Sequence, residues 1–68
     1  MNYGVDKEAI QYINGLKDKD KKEYAIAYYE YKTGETAEKP FYKGQSAMAE
    51  QAVEMRINSI VRKITGGN

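Results

Sequence analysis

The chain has 68 residues, including eleven Lys or Arg, ten Asp or Glu, seven Tyr, and no His, Cys or Trp. So short a chain buries only about 60% of its unfolded surface, which is consistent with a single small domain over residues 1–68. Without Cys or His there is no thiolate or imidazole for nucleophilic catalysis, general base catalysis or transition-metal binding. We therefore expect no enzymatic activity, no catalytic residues, no metal site and no cofactor.

The formal net charge is +1, so the chain lacks the excess of basic residues that is typical of nucleic-acid-binding domains. No window approaches the roughly 20 apolar residues of a membrane span, and the first residues do not resemble a signal peptide. We expect a cytoplasmic protein that has no membrane partner.

The first predicted helix spans about residues 6–14. Asp6 is suited to the N-cap because its carboxylate can accept hydrogen bonds from amides of the first turn. Val5 and Ile10 have the spacing of a hydrophobic staple. Gly15 predicts the end of the helix, in the left-handed conformation that glycine adopts after many helices.

The second predicted helix spans about residues 19–33, and it starts at Asp18 or Asp20. Asp20 and Glu23 have the spacing of a capping box at its start, and Gly34 is suited to the position after its end. Three tyrosines and one alanine recur at the spacing of a single helical face, which we expect to point toward the core. These residues are Tyr24, Ala27, Tyr28 and Tyr31.

A β-hairpin over residues 23–43 is the alternative structure for this region, and it would make the fold α+β. The run of tyrosines favours a strand, which would turn near Gly34 and return through Phe41. Apolar side chains fall on both faces of that strand, however, and Pro40 would interrupt the return. We therefore prefer a helix followed by a loop over residues 34–44, which Phe41 and Tyr42 attach to the core.

The third predicted helix is the longest and spans about residues 46–65, with Ser46 as its N-cap and Gly66-Gly67 after its end. Its apolar residues recur at helical spacing, and Met48 and Met55 lie along the edges of this stripe. The stripe consists of Ala49, Ala52, Val53, Ile57, Ile60, Val61 and Ile64. The sequence thus predicts an all-α fold, a small three-helix domain with a long C-terminal helix.

The aliphatic core is thin, because outside this stripe it has few candidates, namely Val5, Ile10, Ile13, Leu16 and Ile26. A chain of this size rarely gains more than about 3–5 kcal/mol from one core, and oligomerisation is a common remedy. The seam Val53-Ile57-Ile60-Ile64 alternates steps of four and three residues, as a coiled-coil edge does. We expect self-association through the third helix, as a homodimer in which a second copy covers part of this seam.

The tyrosines have two interpretations, as core residues or as a binding surface, since tyrosine is enriched in both. Tyr29 and Tyr31 are separated by about 200° around a helix, so one face cannot bury every ring. We expect at least two exposed tyrosines, and Tyr29 and Tyr42 are the first candidates. Arg56, Arg62 and Lys63 add a local basic group on the third helix.

The predicted function is a non-catalytic protein-binding or regulatory module whose Tyr and Arg surface contacts a larger protein of unknown identity. Small cysteine-free accessory proteins of phages and mobile elements are often of this kind. The alternative function is a small DNA- or RNA-binding regulator that uses the basic C-terminal helix. The predicted partner-binding residues are Tyr29, Tyr42, Arg56, Arg62 and Lys63.

Overall fold

Three helices and no strands make up the part of the chain that the computed structural model describes, which is the backbone of residues 3–65 and the side chains of residues 7–63. The helices are α1 (Tyr3–Asn14), α2 (Lys19–Lys32) and α3 (Ala47–Thr65). The predicted all-α class is confirmed. The hairpin alternative over residues 23–43 is wrong, because the run of tyrosines is helical.

Helix α1 begins at Tyr3, three residues before the predicted start. Asp6 therefore lies within the helix and does not cap it, contrary to expectation. The predicted hydrophobic staple involves the side chains of Val5 and Ile10, and the side chain of Val5 lies outside the described residues.

The end of α1 at Asn14 agrees with the prediction, but its geometry differs. The amide of Gly15 donates to the carbonyl oxygens of Gln11 and Tyr12, both at 3.1 Å, so the last turn continues in the right-handed sense. Gly34 is the only described glycine with a positive φ. The expected left-handed conformation of Gly15 is therefore wrong.

Helix α2 is capped by Asp18, which is one of the two predicted starting residues, and not by Asp20. Asp18 has an extended backbone, with φ −80° and ψ 123°, directly before the first helical residue. Its Oδ1 accepts hydrogen bonds from the amides of Asp20 at 2.8 Å and Lys21 at 3.3 Å. Because these bonds satisfy free amides of the first turn, the capping box of Asp20 and Glu23 does not form.

The C-terminal end of α2 is a Schellman motif built on Gly34, as the sequence predicts. Gly34 has a φ of 88°, which carries little steric cost only for a residue without Cβ. Its amide donates to the carbonyl of Tyr31 at 3.2 Å, and the amide of Glu35 donates to that of Glu30 at 2.8 Å. These two bonds satisfy carbonyls that the helix leaves without an internal partner.

Helix α3 begins after Ser46, whose Oγ accepts a hydrogen bond from the amide of Ala49 at 3.1 Å. The predicted cap is confirmed. The predicted stop at Gly66-Gly67 lies outside the described residues.

Helices α2 and α3 run parallel, and α1 runs antiparallel to α3. Tyr24 contacts Glu54 and, one turn further along both helices, Tyr28 contacts Asn58. In contrast, Glu8 contacts Lys63 at one end of the α1–α3 pair, and Tyr12 contacts Arg56 further down α3. Because α2 and α3 point the same way, the connection over residues 33–46 has to return along the length of α2.

The core lies where the three helices meet, and it contains the apolar stripe of α3. Two predictions about its composition are wrong. Ala27 was expected to face the core but is only half-buried, whereas Ala25 is fully buried. Ile10 and Ile26 were expected in the core but are 56% and 43% exposed. The buried residues are Ala9, Tyr24, Ala25, Tyr28, Val53, Ile57, Ile60 and Val61.

The seam expected to pair with a second copy is the core of the single chain. Val53, Ile57 and Ile60 are at most 1% exposed, because α1 and α2 cover them from two sides. The side chain of Ile64 lies outside the described residues. Self-association through α3 would therefore require a different face of this helix. The prediction that Ala52 belongs to the buried stripe is wrong, because Ala52 is exposed.

No helix in the described range is both long and apolar enough to cross a membrane.

We predict that Ile57→Val lowers the free energy of unfolding by about 0.5–1.5 kcal/mol, because it removes a fully buried methylene group. Ile26→Val is the matched control, since it makes the same chemical change at a side chain that is 43% exposed. Urea denaturation followed by far-UV circular dichroism measures both. An equal loss in the two variants would contradict the placement of the core.

Candidate functional site

A layer of tyrosines joins α2 to α3. The Tyr24 hydroxyl donates to Glu54 Oε2 at 2.6 Å, and the Tyr28 hydroxyl donates to Asn58 Oδ1 at 3.1 Å. The two tyrosine rings are 5.7 Å apart. Each ring therefore fills the interface while its hydroxyl stays paired, and among the described residues no buried side-chain polar atom lacks a partner.

The bond between Tyr24 and Glu54 fixes the protonation state of this tyrosine. Burial raises the pKa of the Tyr24 hydroxyl far above its usual value, and the hydrogen bond to Glu54 together with that carboxylate's charge raises it further. Lys39, in the loop, forms an ion pair with the same carboxylate at 3.6 Å. The Tyr24 hydroxyl is thus a neutral donor that holds two helices together.

Tyr42 attaches the loop to α2, as predicted. Its ring centroid is 5.4 Å from that of Tyr24, and Lys43 beside it pairs with Glu23 at 3.4 Å. A Cβ at Gly44 would overlap the Tyr42 ring, so the loop needs glycine there for the ring to fold back. Burial raises the pKa of Tyr42, and the charges of nearby carboxylates raise it further.

The expectation that Tyr29 and Tyr42 are the exposed tyrosines is wrong. Both are half-buried, and both pack against the core. Tyr29 lies on the side of α2 that was expected to face solvent, but α1 covers that side. Every tyrosine with a described side chain is buried or half-buried, because α1, α3 and the loop surround α2.

The three predicted basic residues are all exposed, but they do not form one patch. The Lys63 Nζ binds both carboxylate oxygens of Glu8, at 2.9 and 3.0 Å, and the Arg56 guanidinium lies 5.6 Å from the Tyr12 ring centroid. Both residues therefore border α1. Arg62 lies on the opposite border, in a shallow depression that it shares with Lys32 of α2.

Arg56 and Arg62 flank a surface that we call the outer face of α3. It is the side of the helix turned away from the core, and its residues follow each other in steps of four, three and four. They are Met48, Ala52, Met55 and Ser59, all of which are exposed. Met48 is 82% and Met55 is 65% exposed.

Phe41 is the second exposed apolar feature. Its side chain is 94% exposed, although the sequence predicted that it would attach the loop to the core together with Tyr42. The neighbouring Tyr42 ring faces inward onto Tyr24, whereas Phe41 faces solvent. A groove of about 190 Å³ lies beside Phe41, between the loop and the first half of α2.

The exposed apolar residues that the sequence analysis did not name as candidate site residues are thus Met48, Met55 and Phe41. The spacing of Met48, Ala52, Met55 and Ser59 was available as a signal, but the stronger Val and Ile stripe defined the helix orientation first. The described residues contain no group of three or more acidic side chains placed to hold a metal ion.

No protein-family model matches the chain, and comparison with curated proteins and with solved structures finds no match.

We predict that Tyr24→Phe lowers the free energy of unfolding by about 1–2 kcal/mol near neutral pH, because Glu54 loses a hydrogen-bond donor. The folded-state pKa of Tyr24 is raised above the value of 10.0 that is typical of an unfolded chain. Its stabilising effect is therefore complete below about pH 10 and is lost as the pH rises above that value.

Urea denaturation of both proteins at several pH values between about 7 and 11 measures this difference. Tyr31→Phe is the control, because the Tyr31 hydroxyl forms no hydrogen bond within the described chain. A difference between wild type and Tyr24→Phe that grows above pH 10 would contradict the assignment.

Proposed function

We propose that this chain is a non-catalytic protein-binding module, and that it binds an acidic amphipathic helix along the outer face of α3. The observation that carries the proposal is the pair of exposed methionines, Met48 and Met55, in line on one helical face. Methionine side chains are flexible and polarisable, so such surfaces adapt to the apolar side chains of a partner.

The spacing of the outer face supports a helical partner. Steps of four and three residues place Met48, Ala52, Met55 and Ser59 along a line nearly parallel to the helix axis, as in the seam of a coiled coil. Ala52 and Ser59 are small, so a second helix can approach closely between the two methionines. A partner helix would present apolar residues at the same spacing.

The charges beside this face support an acidic partner. Arg56 and Arg62 lie on its two borders, and neither forms an ion pair within the described part of the chain. Lys63 is already neutralised by Glu8. A helix with an apolar seam and glutamates on both flanks would match this arrangement, since complementary charges select partner and orientation.

The same arrangement favours a protein partner over nucleic acid. A nucleic-acid site needs a continuous basic face, because most contacts are made to phosphates. Here two methionines lie along the face that Arg56 and Arg62 border, and the net charge of the whole chain is +1. Nucleic-acid binding is retained as an outcome of the test below.

We predict that a synthetic peptide of about three heptads, with Leu at the seam and Glu on its flanks, perturbs the amide NMR signals of α3 around Met55. Met55→Glu should weaken this binding at least about tenfold, because it places a carboxylate in the apolar contact. Ile26→Glu, the same kind of change at an exposed position of α2, should have no effect.

Two further probes make the test decisive: the same peptide with Lys in place of Glu, and a short DNA duplex. The Lys peptide should bind at least about tenfold more weakly than the Glu peptide. Three results would contradict the proposal. They are no shift at about 1 mM Glu peptide, equal binding of both peptides, or binding of the duplex but not the peptide at about 50 mM salt.

A further inference from the structure

Phe41 is held in its exposed position by the residues around it. Tyr42 packs its ring on Tyr24, with centroids 5.4 Å apart. Lys43 pairs with Glu23 at 3.4 Å, and Lys39 pairs with Glu54 at 3.6 Å. The loop is therefore attached to α2 and α3 on both sides of Phe41. Because the neighbouring residues are anchored, a partner that covers Phe41, which is 94% exposed, has to order its side-chain rotamers but not the loop backbone.

The groove beside Phe41 is large enough to hold an aromatic ring. Its volume is about 190 Å³, and a cavity of about 150 Å³ is enough to hold benzene in another protein. Tyr24 and Ala27 provide its apolar wall, and Asp20, Glu23 and Lys43 form its polar rim. The Phe41 ring of the same chain borders this groove but leaves it open, as its exposure shows.

We infer that two copies of this chain associate about a two-fold axis, and that each copy inserts its Phe41 into the groove of the other. A two-fold interface uses the same patch on both copies, so an inserted side chain and its receiving groove must lie side by side on one surface. Phe41 and the groove meet this requirement. A purely heterologous partner would explain the exposed ring but not the adjoining groove of matching size.

The charges on the groove rim are compatible with this pairing. The rim combines the carboxylates of Asp20 and Glu23 with the ammonium of Lys43, whose side chain is 74% exposed. A patch that carries both signs can face its own copy in the arrangement in which Lys43 of one copy lies opposite Asp20 or Glu23 of the other.

The size of the patch predicts a weak dimer. The accessible surface of the chain is 5026 Å², and an interface of about a tenth of that, roughly 500 Å² per copy, is below the standard size of stable complexes. None of the groove residues belongs to α3, so the outer face of α3 stays accessible in the dimer. The dimer would present two such faces and would gain avidity for a partner with two helices.

Sedimentation equilibrium of the whole chain, from about 10 μM to about 1 mM, tests this inference at the affinities expected of a small interface. Wild type should show a monomer–dimer equilibrium. Phe41→Ser should weaken it at least about tenfold, and Ala27→Gln, which fills the groove but keeps Phe41, should do the same. Ile26→Ser is the control for loss of an exposed apolar side chain and should dimerise as wild type does.

A mixture of the Phe41→Ser and Ala27→Gln variants tests directly whether the ring of one copy enters the groove of the other. One variant keeps the groove and the other keeps the ring, so one of the two insertions can form between them. The mixture should associate more strongly than either variant alone, and circular dichroism confirms that both are folded. A wild type that stays monomeric at about 1 mM, an unaffected Phe41→Ser, or a mixture no stronger than its components would each overturn the inference.

The result is separable from the proposed binding of a helix by α3. Phe41→Ser should leave the affinity of one chain for the acidic peptide unchanged, because Phe41 does not belong to the outer face of α3.

Discussion

The parallel packing of α2 on α3 through Tyr24 and Tyr28 is the constraint on which the rest of this structure depends. Each tyrosine fills the helix interface with its ring and binds a polar side chain of α3 with its hydroxyl. Apolar burial alone is non-directional, whereas two hydrogen bonds one turn apart define the register of the two helices. They also determine that the helices point the same way.

Parallel helices that follow each other in the chain need a long return connection, and this requirement explains the loop. Residues 33–46 run back along α2, and their contacts reuse the same tyrosine layer. Tyr42 packs on Tyr24, and Lys39 pairs with the carboxylate that Tyr24 already binds. The exposed position of Phe41 follows from these contacts, because its inward-facing neighbour occupies the space over α2.

Tyrosine also compensates for the shortage of aliphatic residues. With no Trp and one Phe, the chain relies on tyrosine rings for bulk, and Tyr24 and Tyr28 are 2% and 5% exposed. Because the core takes up most of the tyrosine rings, the large apolar side chains that remain exposed are of other kinds. The most exposed of them are Phe41 of the loop and the two methionines of the outer face of α3, followed by Ile10 and Ile26.

Local signals in the sequence were sufficient to predict the three helices and the orientation of α3, although α1 begins three residues before its predicted start. The Ser46 cap, the glycine turn at Gly34 and the buried Val53 and Ile57 depend on residues within one or two helical turns. The sequence left Asp18 and Asp20 open as the start of α2, since both have the same chemistry, and the structure places the cap at Asp18.

The candidate site was decided mostly by tertiary structure. Arg56, Arg62 and Lys63 were predicted to be exposed basic groups of the last helix, and they are. Lys63 is nevertheless neutralised by Glu8, which lies far from it in sequence. Tyr29 is covered because α1 packs on that side of α2, and no periodicity within α2 contains this information.

By itself, the sequence determined the helix class, the approximate spans of the helices and the absence of thiol and imidazole side chains, because these depend on composition and on neighbouring residues. Only the tertiary structure decided which apolar side chains remain outside. That outcome depends on which helices meet and in which direction, and the contacts that decide it join residues far apart in sequence, such as Tyr24 with Glu54 and Glu8 with Lys63.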